Sequence, residues 1–188
     1  MCSFIGSIGF SFLCLAFAII VVVLYLFSAS RNAPFPTIEV NSASINSLTL
    51  VNNTKLTSNW SIRLFVTNED LNHIIYFDNI SVNIFYMDSH LILNKTTLPS
   101  FKTDVMSIID INPSVNGFVV PGVAANTTDH HYGMVQFGLD VSASIKFKTE
   151  IFSAGWKHLN VVCYPLMFAY ANNTGTWGLL NPFICVKV

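Results

Sequence analysis

The sequence predicts an all-β domain, an antiparallel β-sandwich, preceded by one N-terminal transmembrane α-helix. Three observations lead there. No charged residue precedes Arg31, and the run from Ile5 to Phe27 is almost wholly apolar. Beyond Pro36 the apolar residues alternate with polar ones, the period of a strand with one buried and one wetted face. Turn signals then divide that alternation into short segments, the pattern of a sandwich in the roughly 150 residues that remain.

Residues 1–4 form a short flank and 5–27 the expected span. At helical rise the run reaches about 35 Å, enough for a hydrocarbon core of about 30 Å with slight tilt. A helix also satisfies its own backbone in lipid, which an extended run cannot. Ser28-Ala29-Ser30 offers the small residues of a signal-peptidase site, but the apolar run exceeds an h-region and no basic n-region precedes it. Retention as an anchor is the expectation. Cys2, at the membrane edge, is either an unmodified thiol or a palmitoylation site. Residues 28–37 make a spacer stiffened by Pro34 and Pro36, and 38–188 make the domain.

Strands are expected at Ile38–Leu50, Trp60–Val66, Ile80–Tyr86, Leu91–Leu93, Val105–Ile111, Val135–Lys148, Leu159–Cys163 and Phe183–Val188. The clearest is Val135–Lys148, where Val135, Phe137, Leu139, Val141, Ala143, Ile145 and Phe147 share a face opposite Gln136, Asp140, Ser142, Ser144, Lys146 and Lys148. Asp88-Ser89 supplies the turn of a hairpin between Tyr86 and Leu91. Pro113 and Gly117 punctuate the middle, Pro121-Gly122 opens a looser stretch to Tyr132, and 172–178 reads as the turn joining the last strands.

The net charge is −1, and every charged side chain lies beyond position 30. Such a balance gives no footprint for nucleic acid and no polybasic patch for anionic lipid. Sequons Asn-x-Ser/Thr stand at Asn52, Asn59, Asn79, Asn94, Asn126 and Asn172, twice the about three that chance placement gives. They favour a domain on the extracellular or lumenal side of the plasma membrane or an endomembrane. Cys163 and Cys185 lie in the last two apolar segments. In an oxidising compartment they read as a disulfide if those segments are neighbouring strands, and otherwise as two buried thiols.

No catalytic or cofactor-binding set is legible, and the expectation is a non-enzyme without metal or cofactor. His73, His90, His130, His131 and His158 are dispersed. Adjacent His130 and His131 on a strand would point to opposite faces, a poor geometry for one metal. Cys163 and His158 would also fall on opposite faces, which leaves no nucleophile–base pair. Among aromatics, Trp60 reads as core. Trp156, Trp177 and Tyr170 lie near loops and form the candidate contact patch.

The ordered set Arg31-Asn-Ala-Pro-Phe-Pro-Thr-Ile-Glu-Val40, Ala43–Leu50, Trp60-Ser-Ile-Arg-Leu-Phe-Val-Thr-Asn68, Ile75–Asp78, Ile80–Tyr86, Leu159–Cys163 and Ile184–Val188 resembles the plant harpin-induced-like and non-race-specific-disease-resistance-like proteins. These carry a late-embryogenesis-abundant group 2 (LEA-2) domain. The family usually has Asn-Pro-Asn where this chain has Asn68-Glu69-Asp70, and many members have a longer tail before the anchor. The resemblance implies a fibronectin-III-like, immunoglobulin-like sandwich, a membrane location and a role in pathogen defence or stress. The expected partners are the bilayer and a protein or cell-wall component. The alternative is a lipid-handling or membrane-tethering module.

Overall fold

Period-two alternation after Pro36 becomes strands, and the uncharged run before Arg31 becomes a single helix. The computed structural model describes residues 2–31, 33–51, 55–86, 91–119, 134–149, 153–171 and 174–188. Helix α1 spans Cys2–Arg31, 30 residues, and so exceeds the expected 5–27 at both ends. It continues through Ser28-Ala29-Ser30 and stops before Pro34, whose ring disfavours helical geometry in the residue preceding it. The extended spacer is correspondingly shorter than expected, with β1 beginning at Thr37.

The described side chains of α1, positions 12–25, are all exposed, Phe12, Leu13, Phe17 and Tyr25 most of all. Among the described residues no helix is long and apolar enough to cross a membrane.

The strands are β1 (Thr37–Val51), β2 (Lys55–Thr67), β3 (Ile74–Tyr86), β4 (Leu91–Leu98), β5 (Phe101–Thr103) and β6 (Met106–Ile111). They continue with β7 (Ser114–Val119), β8 (Met134–Lys148), β9 (Lys157–Ala171), β10 (Thr176–Leu179), β11 (Phe183–Ile184) and β12 (Val186–Lys187). All pairings among them are antiparallel, so the all-β expectation holds. Hydrogen bonding joins them along one path, β4-β3-β8-β9-β10-β1-β2-β6, where the sequence suggested separate sheets. Strands β11 and β12 flank β1 and β9, while β5 and β7 extend the outer edges on β3 and β2.

Trp60 of β2 meets Phe137 of β8 edge-on at 4.7 Å and Phe168 of β9 at 5.5 Å, contacts between strands that are not neighbours along the path. Trp60 is 3% exposed, as its place on an apolar face predicts, and its indole N–H donates to Ser58 Oγ at 2.8 Å. Burying that polar atom with a partner avoids a cost of about 1–3 kcal/mol. Around it pack Ile45, Leu64, Ile84, Leu139, Leu159 and others, all inward members of the alternation.

Several boundaries differ from the sequence reading. Strand β9 runs from Lys157 through Pro165 to Ala171, well past the expected Cys163. Pro165 is tolerated because the β8–β9 register shifts between Phe137 and Leu139, where the ladder makes no demand on the missing N–H. Gly138 sits at that shift, and a Cβ there would overlap the ring of Phe85. The expected turn at 172–178 contains strand β10, since Trp177 pairs with Tyr170 on β9 and the turn itself closes at Gly175, φ +68°. The last segment divides into β11 and β12 around Cys185, one on each neighbouring strand. The Asp88-Ser89 turn, the stretch 121–132 and His90, His130 and His131 lie outside the described residues.

Candidate functional site

One end of the β-domain is defined by connectivity. Thr37 opens β1 directly after the spacer and pairs with Thr67, so the start of β1, the end of β2 and the loop to β3 share this end. Ile74 of β3 pairs with Lys148 of β8, and Ile145 pairs with Lys157, which adds the β8–β9 connection. The alternation sends Phe147 inward, where it meets Phe35 of the spacer edge-on at 6.4 Å and His73 at 6.2 Å. Phe35 therefore closes the core from below.

Lysines gather around this closure. Lys187 Nζ lies 3.2 Å from the centre of the Phe35 ring, and Lys157 Nζ lies 5.7 Å from it and 5.1 Å from the Phe147 ring. On the adjoining outer face Tyr76 stands opposite both Lys102 and Lys146, with Lys148 Nζ 5.9 Å above its ring. Lys146 Nζ is 5.6 Å from Trp156, which is 54% exposed. Ammonium groups over ring faces gain about 0.5–1 kcal/mol each at such sites. Five of the nine basic residues thus share one end, which the near-neutral total concealed.

The bend after Asn68 belongs to the same end. Asn68 is 2% exposed, and its amide donates to the carbonyls of His73 at 2.6 Å and Asp104 at 2.8 Å. Its carbonyl accepts from Asp70 N–H at 3.1 Å. Asp70 Oδ2 in turn meets His73 Nδ1 at 2.7 Å. Burial opposes ionisation of Asp70, but hydrogen bonds from Asn72 and His73 outweigh it and hold the carboxyl below its ordinary value. Glu69 accepts from the Thr37 hydroxyl at 2.6 Å. Side-chain chemistry thus shapes this corner, which carries no proline between Asn68 and His73.

The predicted contact patch divides. Tyr170 and Trp177 are neighbours, 5.3 Å between ring centres, with Trp177 half-buried against the core. Trp156 lies at the opposite end of β9, on the order of 40 Å away by strand rise. These three residues do not form one surface.

Cys163 and Cys185 are joined as a disulfide, sequence separation 22, so Cys163 has no thiol to pair with the exposed His158. Among the described residues no three His, Cys, Asp or Glu side chains gather as a metal site.

Of the sequons, Asn59 and Asn79 are exposed, but both lie inside strands rather than at their starts. Asn79 adopts φ +50° at the β3 irregularity, a conformation Asn tolerates. Asn94 is engaged: its amide donates to Ser114 O at 2.8 Å across the outer strand edges, and Thr96 donates back to it at 2.7 Å. Asn52, Asn126 and Asn172 lie outside the described residues.

No protein-family model and no curated protein matches the chain. The lysine–aromatic end was missed by sequence reading because its members come from positions 35, 76, 102, 146–148, 156–157 and 187. Alternation signalled only that Lys146 and Lys148 face outward together.

Proposed function

We propose that the chain is a single-pass membrane protein, with residues 5–27 of α1 in the bilayer and the β-domain on the extracellular or lumenal side. In this reading it is non-enzymatic, and the domain is a LEA-2-like, fibronectin-III-like sandwich presented for protein or cell-wall contact in plant defence or stress responses. One observation carries it: a 30-residue helix with exposed apolar side chains, tied by a short spacer to a folded β-domain. In water those side chains would cost about 25 cal/mol per Å² of exposed apolar area; in lipid they cost nothing. The contacts of Trp60 with strands that are not its neighbours support the sandwich. The Cys163–Cys185 bridge supports an oxidising compartment.

For the alternative, an acyl chain would need an interior channel. The enclosed apolar space between Ile38, Leu64, Phe77, Ile80 and Val141 measures about 10 Å³, room for one water.

Carbonate extraction and glycosidase treatment of the full chain in plant microsomes test the reading. It expects retention in the membrane pellet and a mobility shift on deglycosylation, reduced in Asn79→Gln. Release by carbonate, or a domain cleaved only by cytosol-side protease, overturns it.

A further inference from the structure

We infer that the spacer-proximal end of the β-domain is a docking surface for anionic phospholipid headgroups, those of the same bilayer that holds α1. The inference rests on the anchor reading and adds a second membrane contact to it. Helix α1 is about 45 Å long at helical rise, longer than a hydrocarbon core of about 30 Å, so its last turns reach the headgroup layer. Arg31 ends the helix, and Phe35 follows four residues later, within about 14 Å even if fully extended. With residues 5–27 in the bilayer, chain connectivity keeps Phe35 within about 20 Å of the hydrocarbon edge.

What surrounds Phe35 matches that surface. Lys157 and Lys187 lie against its ring, and Lys146 and Lys148 stand on the adjoining outer face. Lys146, Lys148 and Lys187 make no ion pair among the described residues. Trp156 projects beside Lys146, more than half exposed, an apolar ring with one N–H of the kind enriched at membrane–water interfaces. Lysine ammoniums form charge-assisted hydrogen bonds to phosphate oxygens, and a long apolar stem lets each reach past the rings.

Among the described residues the acids of this end are Glu69 and Asp70 in the β2–β3 bend, bonded to Thr37 and His73, Asp104 in the β5–β6 connection, Glu39 on β1 opposite Ile184, and Asp78 on β3, opposite Ser144 and bonded to Ser100. Among the described residues the one acid on β8, β9 or β12 is Asp140, six residues before Lys146 along β8.

The full chain reconstituted in nanodiscs of phosphatidylcholine, with or without phosphatidylglycerol, tests this. The acyl chains are brominated near the headgroup, and tryptophan emission is read. Buried Trp60 and the remote Trp177 supply a constant background. Expected is quenching that appears with phosphatidylglycerol, disappears in Trp156→Phe and falls at least threefold in Lys146→Glu/Lys157→Glu/Lys187→Glu. High salt should produce a similar fall in the parent chain. The milder Lys146→Gln/Lys157→Gln/Lys187→Gln variant, with its near-UV circular dichroism unchanged, should give an intermediate loss. Quenching that ignores phosphatidylglycerol and the lysines, or no quenching while the chain resists carbonate, overturns the docking alone. Carbonate release overturns the anchor and the docking together.

Discussion

The two ends of β9 carry similar aromatic residues in opposite electrostatic settings. At its start, Trp156 and Lys157 stand among five lysines and the Phe35 closure; at its end, Tyr170 packs on Trp177 with no charged residue between Leu159 and Asn181 in the sequence. In the proposed reading one end meets lipid headgroups, while at the other Trp177 packs half-buried against the core beside the more exposed Tyr170. The contrast teaches that a net charge of −1 describes the chain and not any of its surfaces.

Trp60→Ala should abolish the contrast outright. It removes the ring that joins β2 to β8 and β9 and leaves Ser58 without its donor, at a cost of about 3–5 kcal/mol. Urea unfolding of the detergent-solubilised chain would show it, and a midpoint shift under 1 kcal/mol would mean those strands do not depend on this contact.

The double variant Cys163→Ala/Cys185→Ala should destabilise by about 3 kcal/mol, from opening a 22-residue separation in the unfolded chain. It also loosens β12, which carries Lys187, so the lysine-rich end should gain hydrogen exchange while β10 does not. Equal gains at both ends would break the comparison.

Asn68→Ala leaves two carbonyls and one N–H without partners, and about 3 kcal/mol of loss is expected, concentrated at the spacer end. Protease sensitivity within 68–73 would report it.

Acid should act on the same side. Asp70 in the bend and Asp110 on β6 both have folded values below their ordinary 3.8, Asp110 chiefly through the hydrogen bond from Arg63 at 2.7 Å. Groups with depressed values contribute stability above the unfolded value and lose it as pH falls through the folded one. Urea midpoints should therefore decline below about pH 4, less steeply in Asp70→Asn. A decline confined to pH above 5 would contradict these assignments.

The smallest effect belongs to the far end. Tyr170→Ala removes one partly exposed ring pair, about 1 kcal/mol or less, and should leave lipid-dependent quenching of Trp156 unchanged.

Strand segments were readable wherever alternation survived, as in 135–148. Pro165 concealed the length of β9, because a proline argues against a strand until the register shift opposite Phe137 and Leu139 is known. The Asn68 corner was equally hidden. Its sequence lacks the proline that would announce a bend, and the amide that replaces it works only because His73 and Asp104 come within hydrogen-bond reach. Trp60 was legible as core because burial follows the face it shares with Ile62 and Leu64.

Sequence alone determined the helix before Arg31, the strands where alternation survives, and which face of those strands is buried. Those properties depend on neighbours two to four positions away. Only the tertiary structure decided that all strands join in one path, that Cys163 meets Cys185, and that Phe35, Trp156 and scattered lysines share an end. Those outcomes depend on register between distant segments, and a shift of one residue would have sent each of those side chains to the other face.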